Sequence, residues 1–113
     1  MAVISFSRED KHAWVVAGWA FRQVLEDTAM NSMDPEIIQE FKVAEATKYL
    51  LVESLEPRLA EKITREIQRV ASEILSENIR SGIHDKPWGN SLAVEQYYQG
   101  LRELLAAMPE GSA

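Results

Sequence analysis

The chain has 113 residues and contains no cysteine, only five glycines and four prolines, and no long apolar run. Without cysteine it has no disulfide, thiolate nucleophile or thiolate metal site, a composition consistent with a reducing compartment. No stretch approaches the ~20 apolar residues of a membrane-spanning helix, and the first residues lack the basic and apolar regions of a signal peptide. We therefore expect a cytoplasmic chain with no contact to a membrane.

The sequence also lacks a recognisable catalytic or metal-binding pattern. Glu9 and His12 have the Glu-x-x-His spacing of di-iron helical bundles, but such a site needs this element on two helices and it occurs here once. His84 and Asp85 are adjacent, and neighbours in sequence seldom orient one another as a catalytic base and acid. We therefore predict that the chain is not an enzyme and that it holds no metal and no cofactor.

Basic residues are in deficit, because the chain carries a net charge of −6. The excess lies between Glu26 and Glu56, where there are eight acids and two bases. Such a surface repels a nucleic-acid backbone and attracts a basic protein, so we expect a protein partner, with a basic one favoured by the charge, and no nucleic acid. Plain solubility is the alternative explanation of the charge.

What the sequence does contain is helical periodicity. Leu59, Ile63, Ile67, Val70 and Ile74 recur at steps of three or four and predict one long amphipathic helix over about 55–81. Three shorter amphipathic helices are predicted over about 8–29, 35–53 and 92–108, before a frayed tail at 109–113. We find no strand-like alternation, so the predicted fold is an all-α four-helix bundle in a single domain, residues 1–113.

Capping residues set the predicted boundaries. Ser7 is expected to cap the first helix, and Asp34 followed by Pro35 to open the second. Pro57 separates the second helix from the third, which Gly82 ends. Ser91 is expected to cap the fourth.

The first predicted helix carries apolar bulk on two faces, which is where a binding function would show. Val15 and Trp19 project towards the side of Arg22 and Glu26, and tryptophan beside arginine is typical of a binding hot spot. Burial within the monomer, a homodimer contact and a foreign partner are three explanations. The loop 82–90 presents a further tryptophan after Pro87, either as a plug of the bundle or as a contact. The predicted partner-binding residues are Val15, Trp19, Arg22, Glu26, His84 and Trp88.

The long helix also carries a basic stripe on its polar side, formed by Arg58, Lys62, Arg65 and Arg69. Three interpretations remain open: a grip on an acidic partner, an ordinary solvated face with flanking glutamates, or a dimer contact with the acidic surface of the second helix.

Two functions follow as hypotheses. The first is a non-enzymatic acidic helical protein that binds another protein, of the inhibitor, immunity or adaptor type, with a homodimer as a further possibility. The alternative is a sensor or carrier of a small ligand with an apolar pocket between helices. Its polar contacts would come from a pair on the second helix and two tyrosines on the fourth: Glu45, Lys48, Tyr97 and Tyr98.

Overall fold

The computed structural model describes residues 1–109, so most of the predicted frayed tail at 109–113 lies outside the described residues. In that range the chain forms four α-helices and three short β-strands. The helices are α1 (Gly18–Ser32), α2 (Pro35–Thr47), α3 (Pro57–Ser81) and α4 (Ser91–Ala107). The strands are β1 (Ala2–Ser5), β2 (Ala13–Val16) and β3 (Tyr49–Leu51), and single 3₁₀ turns cover Asp10–His12 and Val52–Ser54.

The prediction of an all-α four-helix bundle is wrong, because the three strands form a small mixed sheet. β1 lies in the centre, antiparallel to β2 and parallel to β3. β2 occupies part of the predicted helix 8–29, and β3 occupies the end of the predicted helix 35–53. Runs of three or four apolar residues do not distinguish a strand from a turn of helix, and the β1–β3 pairing joins segments that are far apart in sequence.

The first helix therefore begins at Gly18, ten residues after the predicted start. Ser7 does not cap a long helix; its hydroxyl accepts a hydrogen bond from the main-chain N–H of Glu9 (3.1 Å) and lies 2.6 Å from His12 Nδ1. These contacts stabilise the tight connection between β1 and β2. Ala17 precedes α1 in an extended conformation without a capping side chain, so the sequence carries no conventional start signal there.

The second helix begins as its capping residues predict and ends earlier than expected. Asp34 Oδ1 accepts a hydrogen bond from the main-chain N–H of Glu36 (2.9 Å), with Pro35 as the first helical residue. The helix stops at Thr47 because Lys48 adopts a left-handed conformation, φ 68°. The Lys48 carbonyl then accepts a hydrogen bond from Val3 N–H (3.0 Å), which places β3 beside β1.

The core lies between the helices and one face of the sheet. Successive strand residues point to opposite faces, and the residues on the inner face are buried together with the apolar faces of the helices. The stripe of α3 packs into this core through Ile63 and Ile67, with Leu59 and Ile74 at its margin, and Val70 of the same stripe is also buried. The largest fully buried side chains are Tyr97, Phe21, Ile4, Leu25, Ile37, Ile63, Ile67, Leu101 and Leu104.

None of the helices in residues 1–109 has both the length and the continuous apolar surface required to traverse a lipid bilayer. The longest, α3, has a strongly polar side along its whole length.

Candidate functional site

Two tryptophans that are far apart in sequence meet at one end of the molecule. Trp19 is the second residue of α1, and its side chain is 44 % exposed. Trp88 is 38 % exposed, and its ring centroid lies 6.2 Å from that of Trp19. An indole has a large apolar surface that a monomer usually buries. Two half-exposed indoles in contact are therefore the principal surface feature to explain.

Trp88 is held at the tip of a tight turn. The main chains of Lys86 and Gly89 exchange two hydrogen bonds, of 2.8 and 3.1 Å, and enclose Pro87 and Trp88 as the two central residues. Proline fixes its own φ at the first central position, so the turn is conformationally restricted. Asp85 Oδ1 accepts a hydrogen bond from Ser91 N–H (2.6 Å), which ties the loop to the start of α4. The loop therefore presents Trp88 in a defined position.

α4 begins one residue away from the expected capping position. Asn90, rather than Ser91, is the N-cap, and its side-chain oxygen accepts a hydrogen bond from Ala93 N–H (3.0 Å).

The buried ring of Tyr97 packs against both indoles. Its ring centroid lies 5.3 Å from that of Trp88, in an edge-to-face arrangement, and 6.5 Å from that of Trp19. Tyr98 follows at 6.3 Å from Tyr97. We call these four residues the aromatic cluster. Edge-to-face aromatic pairs stabilise a structure by more than the area that they bury, so these contacts help to hold the four rings in place.

A hydrogen-bonded carboxylate anchors the buried end of the cluster. The Tyr97 hydroxyl donates to Asp27 Oδ2 at 2.7 Å, and Gln23 Nε2 donates to Asp27 Oδ1 at 3.0 Å. Burial raises the pKa of Tyr97 far above its ordinary value, and the nearby charge of Asp27 raises it further. The phenol is therefore protonated and acts as a donor throughout the physiological range.

A pocket of about 250 Å³ lies beside Trp88, between the start of α4 and the facing ends of α1 and α3. We call it the Trp88 pocket. Its apolar lining consists of Trp88, Tyr97 and Tyr98, which we call the aromatic wall, and of Ile74. Four polar residues complete the lining: Asp27, Asn31, Glu77 and Lys86.

The structure brings together residues from both hypotheses. Trp19 and Trp88, predicted to bind a partner, share the aromatic cluster with Tyr97 and Tyr98, predicted as contacts for a ligand. Sequence reasoning missed Asp27, Glu77 and Lys86. The Gln23–Asp27 spacing is an ordinary i, i+4 surface pair, so nothing in the sequence singled out this carboxylate.

The other predicted partner-binding residues lie outside the cluster contacts. Val15 is in β2 and half-exposed on the outer face of the sheet, rather than on the first helix. Arg22 and Glu26 follow Trp19 along α1 and are exposed. His84 is exposed in the loop 82–90, which we call the Trp88 loop, with Nε2 against the main-chain oxygen of Ser81.

The predicted Glu45–Lys48 pair does not form in the part of the chain that the structure describes. Glu45 is half-buried on α2, whereas Lys48 is exposed at the left-handed position that ends this helix. The end of the helix separates the two side chains, because i, i+3 neighbours require continuous helical geometry. Neither residue lines the Trp88 pocket.

The basic stripe of α3 is paired with acids of the same chain. Lys62 Nζ lies 2.8 Å from Asp34 and 2.9 Å from Glu36, and Arg58 lies 3.0 Å from Glu36. These hydrogen bonds raise the pKa of Lys62 and lower those of Asp34 and Glu36. Arg65 and Arg69 pair with glutamates of α3 itself. A contact between this stripe and the acidic second helix, one of the three interpretations and there a contact between two subunits, thus forms within one subunit.

A second apolar surface lies on the outer face of the sheet. Val15, Tyr49 and Leu51 are 53, 56 and 43 % exposed, and the sheet register places Val15 and Tyr49 on either side of Val3. The open edge of β3 is partly closed, because the Thr47 hydroxyl bonds with the main chain of Tyr49 and the Ser54 hydroxyl donates to the Leu51 carbonyl. These bonds hinder the addition of another strand.

Among residues 1–109 no group of three or more His, Cys, Asp or Glu side chains is placed to hold a metal ion. Glu9 and His12, the one Glu-x-x-His element, are the N-cap and the last residue of the first 3₁₀ turn, with 3.3 Å between Oε2 and Nδ1.

Comparison with known proteins adds no further assignment. The chain matches no known protein-family model, no curated protein and no solved structure.

Proposed function

We propose that this chain is a non-enzymatic protein-binding module whose contact surface is centred on Trp19 and Trp88. The observation that carries the proposal is the contact of two half-exposed indoles, contributed by α1 and by the Trp88 loop, over the buried ring of Tyr97. Tryptophan is the residue most enriched among binding hot spots, and an ordered aromatic surface loses little entropy on binding.

The support beneath the indoles distinguishes this surface from incidental exposure. Trp88 is restricted by a proline-containing turn, and Tyr97 is fixed by its hydrogen bond to Asp27. Side chains that are already ordered before association make each contact less costly. The acidic surplus of the chain favours a basic partner and faster association at low salt.

The small-ligand alternative receives less support. Ligand pockets usually enclose about 300–1,000 Å³, and the Trp88 pocket is smaller and open at the surface. Glu45 and Lys48, two of the four residues proposed for that function, do not reach it. A homodimer through the aromatic cluster remains an outcome of the test below, and a cytoplasmic location stays a prediction.

The test is capture of a partner with the double variant Trp19→Ala, Trp88→Ala. The tagged wild type is expected to retain a specific protein from extract of the native cells, and the purified pair is expected to reconstitute the complex. The double variant, with its fold checked by circular dichroism, should weaken that complex on the order of 1,000-fold, because each anchor contributes on the order of 2 kcal/mol.

The matched control is Tyr49→Ala, Leu51→Ala, which removes comparable apolar area from the outer face of the sheet. It is expected to leave the affinity within about threefold. If the sheet variant loses the complex and the tryptophan variant keeps it, the proposal is refuted. A mass of two subunits in wild type and one in the tryptophan variant, with no foreign protein bound, would replace it with self-association.

A further inference from the structure

The carboxylate of Asp27 is ordered, partly buried and without a cationic partner among the described residues. Each of its oxygens accepts one side-chain hydrogen bond, from Tyr97 and from Gln23, and no base lies within ion-pair distance of either. A carboxylate at the margin of a protein core is stabilised when a positive group completes its hydrogen bonds. Both oxygens have acceptor capacity left.

The other acid of the Trp88 pocket is already occupied. Glu77 Oε2 accepts a hydrogen bond from Arg80, and Oε1 accepts one from Ser81, both at 2.6 Å. Asn31 uses its amide N–H to bind the main-chain oxygen of Asp27 at 2.7 Å. The hydrogen bond from Ser81 and the charge of Arg80 lower the pKa of Glu77, and the charge of Lys86 adds a smaller effect in the same direction. Lys86 also lines the pocket, and it forms no ion pair in residues 1–109. Asp27 is thus the carboxylate of this pocket that is available to bind a ligand.

The walls around it are aromatic. Trp88, Tyr97 and Tyr98 line the same pocket as Asp27. Tyr97 and Tyr98 are only 2 and 5 % exposed, so Trp88, at 38 %, supplies most of the accessible aromatic surface, and such a surface attracts alkylammonium and guanidinium groups. A volume of about 250 Å³ is below the usual range for drug-sized ligands but accommodates one long basic side chain. The apolar side chain of Ile74, which also lines the pocket, suits the methylene stem of such a side chain, which is apolar up to its charged end.

From this arrangement we infer that the Trp88 pocket binds a lysine or arginine side chain of the protein partner, with the cationic head on Asp27 and the stem against the aromatic wall. This inference rests on the proposed function and names the chemistry of the partner. Lys86 acts against binding, because its ammonium shares the pocket with the incoming cation.

The first experiment uses isolated side-chain analogues and the intact chain. n-Butylammonium is titrated and followed by the indole and amide NMR signals of Trp88 and Asp27, with 1-butanol as the neutral analogue of equal length. We expect saturable shifts at millimolar concentration with n-butylammonium and at least fivefold weaker binding of 1-butanol. Equal binding of the two probes, or shifts that do not localise to the pocket, would overturn the inference without any variant.

Two substitutions should change the affinity in opposite directions. Asp27→Asn keeps the shape of the side chain and an acceptor for Tyr97, and it should weaken n-butylammonium binding about tenfold. Lys86→Ala removes the competing cation and should strengthen binding about two- to threefold. Glu53→Gln, an exposed acid that does not line this pocket, is the matched control for net charge and should leave the affinity unchanged within about 1.5-fold. If Asp27→Asn and Glu53→Gln weaken binding equally, the effect comes from the net charge of the protein and the proposed site is refuted.

A blocked tripeptide, Ala-Lys-Ala, separates a protein side chain from a free amine. It should bind at least as tightly as n-butylammonium, because Trp19 and Trp88 offer contacts to the flanking main chain; distinctly weaker binding would show that a peptide is excluded. Failure here is distinguishable from failure of the proposed function. If the tryptophan substitutions abolish partner binding but no cation binds, only the assignment of a basic side chain to the pocket is refuted. If the cation binds but the tryptophan substitutions leave partner binding unchanged, the protein-binding surface lies elsewhere.

Discussion

Removing the hydroxyl group of Tyr97 should separate the contribution of its hydrogen bond from that of its ring. The ring is 2 % exposed, and the hydroxyl donates to a charged acceptor at 2.7 Å, a short bond between a neutral donor and a carboxylate. Such bonds contribute about 1.5–3 kcal/mol to stability. Because Asp27 keeps Gln23 and can recruit water at its half-exposed side, we expect Tyr97→Phe to lower the free energy of unfolding by about 2 kcal/mol at neutral pH.

Alkaline pH gives the same prediction a second, sharper form. The pKa of Tyr97 is raised in the folded state, so the unfolded chain loses this proton near pH 10.0 while the folded chain keeps it. The stabilising contribution is therefore complete below pH 10 and is lost as pH rises, by about 1.4 kcal/mol for each pH unit. A difference of about 2 kcal/mol between wild type and Tyr97→Phe should thus vanish about 1.5 units above pH 10.

The assay is urea unfolding followed by far-ultraviolet circular dichroism at a series of pH values. Tyr98→Phe is the matched control, since its ring is also buried but its hydroxyl forms no hydrogen bond with another side chain in residues 1–109. It should change stability by less than about 0.5 kcal/mol. Equal effects of the two variants, or a Tyr97→Phe deficit that persists unchanged through pH 12, would refute the reasoning.

Three further changes test the fold itself. Lys48→Gly should raise the free energy of unfolding by about 1 kcal/mol, because the residue has φ 68°, whereas Lys48→Ala should not; urea midpoints compare them. Gly100→Ala should stabilise α4 by up to about 1 kcal/mol, since the added Cβ would lie 3.6 Å from Trp14, and Gly100→Leu should destabilise it, as thermal melts would show. A hydrogen bond from Lys62 lowers the pKa of Asp34, so this pair stabilises the fold at neutral pH and the stabilisation is lost as pH falls below about 4. In Lys62→Met, the free energy of unfolding should therefore depend less on pH in this acid range.

The helical part of the fold was readable because its signals are local. The stripe of α3 repeats over 25 residues, and Asp34 with Pro35 marks the start of α2 through contacts with the next few residues. The sheet could not be read in this way. β1 and β3 are paired by contacts between residues more than forty positions apart, such as Val3 and Tyr49, and each strand is too short to show a period of its own.

The candidate site was readable only in part, for a related reason. Trp19 and Trp88 were recognisable as large apolar side chains in polar surroundings, but their contact depends on how α1 and the Trp88 loop pack on Tyr97. Asp27 carried no signal at all, because its role arises from the hydroxyl of Tyr97, seventy residues later. Residues that act through one distant partner leave no trace in composition or periodicity.

The pairing of charges within this acidic chain indicates which of its surfaces a partner would use. The bases of α3 are paired with acids of α2 and α3, so the strongest positive feature of the sequence is satisfied internally. The outer sheet face has apolar side chains, but hydroxyls of Thr47 and Ser54 already bind its edge main chain. The aromatic cluster, in contrast, combines exposed apolar area with the nearby carboxylate of Asp27, which forms no ion pair within residues 1–109. Both features favour association at the aromatic cluster, because a basic side chain would form an ion pair with Asp27 and the indoles would be removed from water.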